Sequence, residues 1–578
     1  MTESSLPPGA PEGQDEVEGA EKKKREKKDK VRSAWISFAG RIVAQVVGAA
    51  ATSSLGLFLA TRLQAPSGAP QPSTTTSDSH AVSRTRDGAT WIAVLPLQNL
   101  SGAPEQEYFA DGMTEALITD LSRVRALRVI SRTSIMQYKQ PSKTVPEIAR
   151  ELGVDVVLEG SVFRSGNRVR VTAQLIDAAS DEHLWADNFD RDLRDVLALQ
   201  DDVSAAIVRA VKVALTPVEQ ARLSRTRPVN PEAHLAYLKG RHAWNRRTVP
   251  DLEAAREFFE DAIARDPSYA PAHAGLADTF GLLGSFAYGA LTPREAFPLA
   301  RAEAEKALAL DETLAEAHVS LAWSLFRFAW DFKAAERSFR RAIELKPSYA
   351  TAHQWYAHFL AAQDRPQEAL VEAQLARDYD PLSSIMYRNL ALVHYMARRY
   401  DAAVESAERG RAREEETSSR DLLLPMARLE RGERAVAIAL YEDLRKRHRA
   451  EDVLGQLGNA YARDGQRPRA IEVLVQLDAL TREHPLSPHH AALVYVGLGD
   501  RDSAFTALAK AVEERSDFLV YLKVHPLFDP LRSDPRFSKL VRKVSPAEPS
   551  AQRVEDSPEP IATGVGSPSH ERDDAPTQ

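Results

Sequence analysis

Among the acidic and histidine side chains between positions 111 and 190, the candidates for moving protons are Asp111, Glu115, Asp155, Glu159, His183, Asp187 and Asp190. Carboxylates held in unlike surroundings serve as general acid and base, and a neighbouring histidine can relay the proton. The local setting points to plainer roles. Asp111-Gly112 reads as the cap region of a helix. Glu159-Gly160 follows an apolar strand, where a carboxylate hydrogen-bonds a turn, and His183 beside Trp185 reads as a structural pair. A second group, His484, His489 and His490, has metal-ligand chemistry, but Pro485 and Pro488 place it in a turn between helices, and no metal is expected there. The chain has no cysteine, which excludes disulfides, thiolate metal sites and thiol catalysis. It carries no glycine-rich phosphate loop, no kinase motif and no set of cyclase metal carboxylates. The expectation is a non-enzyme with no catalytic residue, no cofactor and no metal.

The elements around those residues define a small α/β domain over 90–216. Trp91 to Pro96 is a short apolar strand ended by proline. Phe109 to Val124 places Met113, Leu117, Ile118 and Leu121 on one helical face, and Leu127 to Ile130 is a second strand. A short helix over Pro146 to Leu152 leads into Val154 to Leu158, apolar enough to be central in a sheet. Val169, Val171, Ala173 and Leu175 alternate with Arg168, Arg170, Thr172 and Gln174, and Gly166-Asn167 predicts the hairpin turn before them. His183 to Ala186 predicts one more strand. An amphipathic helix follows, with Leu197, Val203, Ile207 and Val211 inward.

Across these residues the chain resembles the TolB amino-terminal-like domain. The resemblance rests on "IAVLPLQNLSG", "YFADGMTEALITDLSRV", "LRVISRTS", "IARELGVDVVLEGSVFRSGNRVRVTAQLIDA" and "HLWADNFDRDLRDVLALQDDV", in that order. It implies a binding or sensing module, often fused to tetratricopeptide repeats and found behind kinase, cyclase or winged-helix output domains. Leu97 stands where an aromatic is common, and no such output domain is read ahead of this module, so their activity is not carried over.

The second half repeats. Pro347 and Pro381 lie thirty-four residues apart, with Ala357, Ala369 and Ala376 at the small positions and Tyr356 and Leu360 at large ones. That period is the tetratricopeptide (TPR) signature of two antiparallel helices per unit, which pack closely only where side chains are small. About eight units are predicted over 230–517, then a C-terminal cap over 518–544 around "HPLFDPLRSDPRF" and a disordered tail over 545–578. The expected partner-binding residues, on the concave face lined by each first helix, are Asp278, Trp323, Trp355, His358, Arg388, Asn389 and Asn459. An Arg-Asn pair there suits a peptide carboxylate.

Ahead of the α/β domain the composition changes. Residues 1–32 read as a disordered arm, with a dense basic run from Lys22 to Arg32. From Ile42 to Ala60 there is no charge, a span long enough to cross a bilayer as a helix. A signal anchor is predicted over 34–62, with Ile42, Val46, Val47, Leu55, Leu57, Phe58 and Leu59 in the membrane. A buried helix of a soluble protein, or a basic tail on nucleic acid, is the competing reading. The Lys/Arg run belongs on the cytoplasmic side, where anionic lipid is its expected partner, so the rest lies outside, in a bacterium in the periplasm. Residues 63–89 are a Pro/Ser/Thr linker. The net charge of −7 over 578 residues gives no basis for nucleic acid as the main partner. The expected class is therefore α+β and multidomain: one transmembrane helix, a small α/β domain and an all-α superhelical solenoid holding protein or peptide partners. A transmembrane sensor signalling to a separate cytoplasmic partner is the alternative; an enzyme of the cyclase- or kinase-associated class is the remote one.

Overall fold

The computed structural model describes residues 88–545 apart from 104–105, 141–142, 218, 221–228, 286–287, 289, 414–420, 448–450 and 484–485. The basic arm, the anchor residues Ile42, Val46, Val47, Leu55, Leu57, Phe58 and Leu59, most of the linker, nearly all of the tail and His484 lie outside the described residues. Among the described residues no helix is long and apolar enough to cross a membrane.

A six-stranded sheet opens the described chain. Its strands are β1 (Thr90–Val94), β2 (Gln98–Asn99), β3 (Leu127–Val129), β4 (Val156–Ser165), β5 (Arg168–Asp177) and β6 (His183–Asp192). The order is β3-β1-β4-β5-β6, and β2 pairs with the far end of β4. β1 runs parallel to β3 and β4, while β4, β5 and β6 form an antiparallel meander. β1 and the start of β4 are buried on both faces, which is why they read as unbroken apolar runs. α1 (Glu107–Leu121) and α4 (Val196–Val211) cover one face through Met113, Leu117, Val203 and Ile207. Short helices α2 (Arg132–Ile135) and α3 (Val145–Leu152) lie by the other face near β1.

Eight helix pairs follow. They are α5 (Pro231–Trp244) with α6 (Val249–Arg265), α7 (Ala270–Leu283) with α8 (Pro293–Leu310), and α9 (Ala315–Ser324) with α10 (Phe332–Leu345). Next come α11 (Ala350–Ala362) with α12 (Pro366–Tyr379), α13 (Ser384–Met396) with α14 (Tyr400–Arg411), and α15 (Leu423–Glu430) with α16 (Arg434–Arg447). α17 (Glu451–Arg463) with α18 (Arg467–Glu483) and α19 (His489–Leu498) with α20 (Arg501–Glu513) complete the series. Small residues set the spacing. Ala335, Ala342, Ala369, Ala376, Ala403 and Ala407 are wholly buried at helix crossings. Where an aromatic must enter, the neighbours shrink further: a Cβ on Gly240 or Gly275 would lie 2.6 Å from the Phe259 ring. Stacking joins the pairs into one continuous core.

The C-terminal segment turns back on the middle of the series. Short 3-10 turns at Asp517–Tyr521 and Pro526–Leu531 precede α21 (Pro535–Val544). Arg327, in a π-helical turn after α9, donates to Asp517 at 2.5 Å, and Tyr521 meets His358 at 2.7 Å. Arg398 pairs with Asp529 at 2.7 Å.

Candidate partner-binding site

Sequence reasoning placed the binding residues on one face of the first helices. Asp278, Trp323, Trp355, Asn389 and Asn459 are buried, and His358 and Arg388 are half-buried. Trp323 and Trp355 stack at 4.5 Å, with the His358 ring edge-on to Trp323. Arg327 lies over Trp323 and His358 bonds Tyr521, so this part of the face is filled by the chain's own C-terminal segment. Burial drives the His358 imidazole down to about 3, helped by the Arg327 charge, so the ring is neutral. Asn459 donates to the Leu493 carbonyl of the eighth pair. Both amide atoms of Asn389 lack a hydrogen-bond partner among the described residues.

Asp278 belongs to a second set of contacts, between the α/β module and the first repeats. α1 lies against α5, and Leu238 of α5 joins the module's core. Asp111 and Glu115 project from this helix into the contact. Asp111 is not at a cap, because the helix begins at Glu107, one turn earlier. It takes Lys139 at 2.7 Å, His242 at 3.2 Å and Arg132 at 3.5 Å. Glu115 takes Arg241 at 2.7 Å and Asn245 at 3.0 Å. Burial alone would lift Glu115; the Arg241 and Arg132 charges outweigh it and hold the carboxyl below its usual value. Asp278, with Arg241 at 3.8 Å and Ser320 on its other oxygen, is instead lifted by burial to about 6.

A third patch welds the module to the turns between repeats. Ser134 donates to Asp380 Oδ1 from its backbone N–H at 3.0 Å and from its hydroxyl at 2.6 Å, and the Leu382 N–H donates to Ser134 Oγ at 2.9 Å. The Ser131 N–H donates to the Tyr379 carbonyl, whose ring stacks 5.7 Å from Trp91. Ser348 bridges the Val129 N–H and the Leu127 carbonyl. Asp380 has no cation bonded to it among the described residues, and burial lifts it to about 6. These residues carried no sequence signal beyond Asp380-Pro381, which reads only as a turn.

The remaining acid–base residues do not converge. Asp155 accepts the Trp91 N–H, Glu159 lies inside β4 rather than in a turn and accepts from Gln174, and Asp190 sits between Arg168 and Arg170. His183 is exposed on β6, and the Trp185 ring packs on Phe189 instead. His489 and His490 are buried at the start of α19, where His489 stacks on Phe518 at 4.5 Å and bonds Ser487 at 2.8 Å. No three His, Cys, Asp or Glu side chains among the described residues are grouped to hold a metal ion.

Comparison with known proteins finds similarity over part of the chain. Residues 88–206 match the family described as HilA/YgeH-like transcriptional regulator, second domain. That family differs from the TolB-like resemblance drawn from the motifs. A protein of Rhizobium meliloti (strain 1021) named "Putative adenylate cyclase 3" is 46% identical over 186 residues, 32% of this chain and 32% of that protein. The chain thus spans about a third of that relative's length. Among solved structures, MamA is 19% identical with a TM-score of 0.22, covering 32% of this chain and 94% of that one. The thermophilic TPR protein TTC0263 of Thermus thermophilus is 18% identical with a TM-score of 0.28, covering 34% and 98%. Human IFIT1 is 14% identical with a TM-score of 0.39, covering 60% and 76%. At these scores the solved structures assign no function.

Proposed function

We propose that the protein is a non-catalytic interaction scaffold, anchored in the bacterial cytoplasmic membrane, whose α/β module and helical solenoid hold protein or peptide partners on the extracytoplasmic side. The observation that carries this reading is the architecture: eight antiparallel helix pairs joined by one core, with the module packed on them through a shared cluster that includes Trp91 and Tyr379. Such a body presents broad surface and no converging set of reactive groups among its described residues. The anchor and its orientation rest on the uncharged span from Ile42 to Ala60 and the Lys/Arg run before it. A partner that uses Trp323, Trp355, His358, Asp278, Arg388, Asn389 or Asn459 must displace the chain's own contacts. Crosslinking in intact envelopes followed by mass spectrometry tests the scaffold role. Partners crosslinked to the solenoid support it; a partner retained by a chain cut after 216, with none on the repeats, sinks it. Protease access in spheroplasts tests the orientation, and protection of the region after Arg62 would reverse it.

A second reading is a transmembrane sensor that passes a signal to a separate cytoplasmic partner. It is favoured by the match of 88–206 to a domain of transcriptional regulators and by the stretch shared with a protein named as a cyclase. Removing Lys22 to Arg32 while keeping membrane insertion separates the two: an unchanged phenotype argues against signalling.

A further inference from the structure

β6 is a ten-residue strand at the end of the sheet, hydrogen-bonded only to β5 among the described residues. A long free edge is a template for another strand, and proteins normally shorten it, bulge it or cover it. Here a register shift leaves Leu184 as an extra residue near the start of β6, and α4 packs on one face with Arg191 held by Asp202, but no described strand pairs with the edge from Trp185 onward. The sheet face opposite α1 and α4 is open as well at this end, with a shallow basin of about 520 Å³ lined by Leu100, Phe163, Thr172 and Asn188.

The side chains along the edge define what would fit. Trp185, Asp187 and Phe189 pair across from Leu175, Ala173 and Val171, whose side chains are buried in the core under α4. The three therefore alternate along the helix-covered side of the edge. Trp185 and Phe189 are partly exposed apolar anchors. Asp187 between them is exposed, accepts only the Asn188 N–H, and has no cation partner among the described residues. Asp181 and Glu182, at the strand's start, are also without an ion pair there, whereas Asp190 and Asp192 are neutralised by Arg168, Arg170 and Arg194. A second copy pairing edge to edge would bring this acidic strand against itself, and like charges across a ladder are destabilising.

We propose that β6 accepts a further strand from a protein partner: an extended segment with apolar, basic and apolar side chains at alternate positions, set against Trp185, Asp187 and Phe189. Backbone hydrogen bonds supply the attachment and the alternating side chains the selection. The surface is separate from the solenoid, so this inference and the scaffold role of the repeats fail independently.

The probe is a labelled Thr-Val-Thr-Lys-Thr-Val-Thr peptide titrated into the full chain, beside a version with Glu in place of Lys. The Lys peptide should bind roughly fivefold or more tightly than the Glu peptide, and Asp187→Lys should invert that order. Amide exchange over residues 183–192 should slow with the Lys peptide present. Equal binding of both peptides to both chains, or no slowing along β6, overturns the proposal. Concentration-dependent protection of β6 without peptide would also overturn it, in favour of a second copy.

Discussion

Arg327 and Asp517 lie 190 positions apart and meet at 2.5 Å, with side chains only 2% and 3% exposed. A pair buried this deeply contributes little relative to a well-packed apolar pair, but losing one partner strands a charge.

Asp517→Ala should therefore destabilise the protein by about 3–5 kcal/mol, while Arg327→Met with Asp517→Leu should recover most of that loss. Urea unfolding of the single and double variants reads the difference. Equal losses in both would mean that packing, not the stranded charge, decides.

The junction and the C-terminal segment should respond to pH with opposite signs. Asp380 keeps its proton up to about 6 in the folded protein, whereas the unfolded carboxyl loses it near 3.8. Stability from this group is thus gained as pH falls from about 6 to 4, on the order of 2 kcal/mol. His358 and His525 are held neutral down to about 3, mainly by burial, while an unfolded imidazole takes a proton near 6.5. Their contribution is lost as pH falls below 6.5. Asp380→Asn should remove its share of the gain, leaving that of Asp278, which burial also lifts to about 6, and should leave the fall unchanged; unfolding measured between pH 4 and 8 will check this.

Gly275→Ala should destabilise by about 1–3 kcal/mol, although alanine is the better helix former by about 1 kcal/mol. The added carbon has no room beside the Phe259 ring. Phe259→Leu in the same chain should make the second change nearly neutral. Additive losses in thermal melts would count against the steric account.

Ser134→Ala removes both the hydroxyl given to Asp380 and the acceptor for the Leu382 N–H. A buried carboxyl that loses a partner costs about 1–3 kcal/mol. The loss should appear first as faster proteolysis between the module and the repeats, with the solenoid's helicity unchanged. Uniform loss of helicity would place the effect elsewhere.

Much of the fold is legible in the sequence because local periods decide it. The helix expected over Phe109 to Val124 runs from Glu107 to Leu121, and the turn at Gly166-Asn167 joins β4 to β5. Small-residue spacing likewise marks each helix pair. The strand expected at His183 to Ala186 continues to Asp192, hidden because an edge strand alternates weakly. Contacts between distant parts were not legible. Nothing local says that Asp380 faces Ser134, or that Trp323 and His358 meet residues of the chain's own end. Gly112 was the one hint: a glycine inside a helix marks close approach, here to Leu238, whose side chain lies 2.7 Å from where its Cβ would be.

The return of the C-terminal segment fixes the number of units. An open array can gain or lose a repeat, since each unit meets only its neighbours. Here a duplication or deletion between the fifth and eighth pairs would carry Asp517 one pitch away from Arg327, and Asp529 from Arg398. This chain is thus a closed count, and copying errors that other arrays tolerate would leave it unable to close.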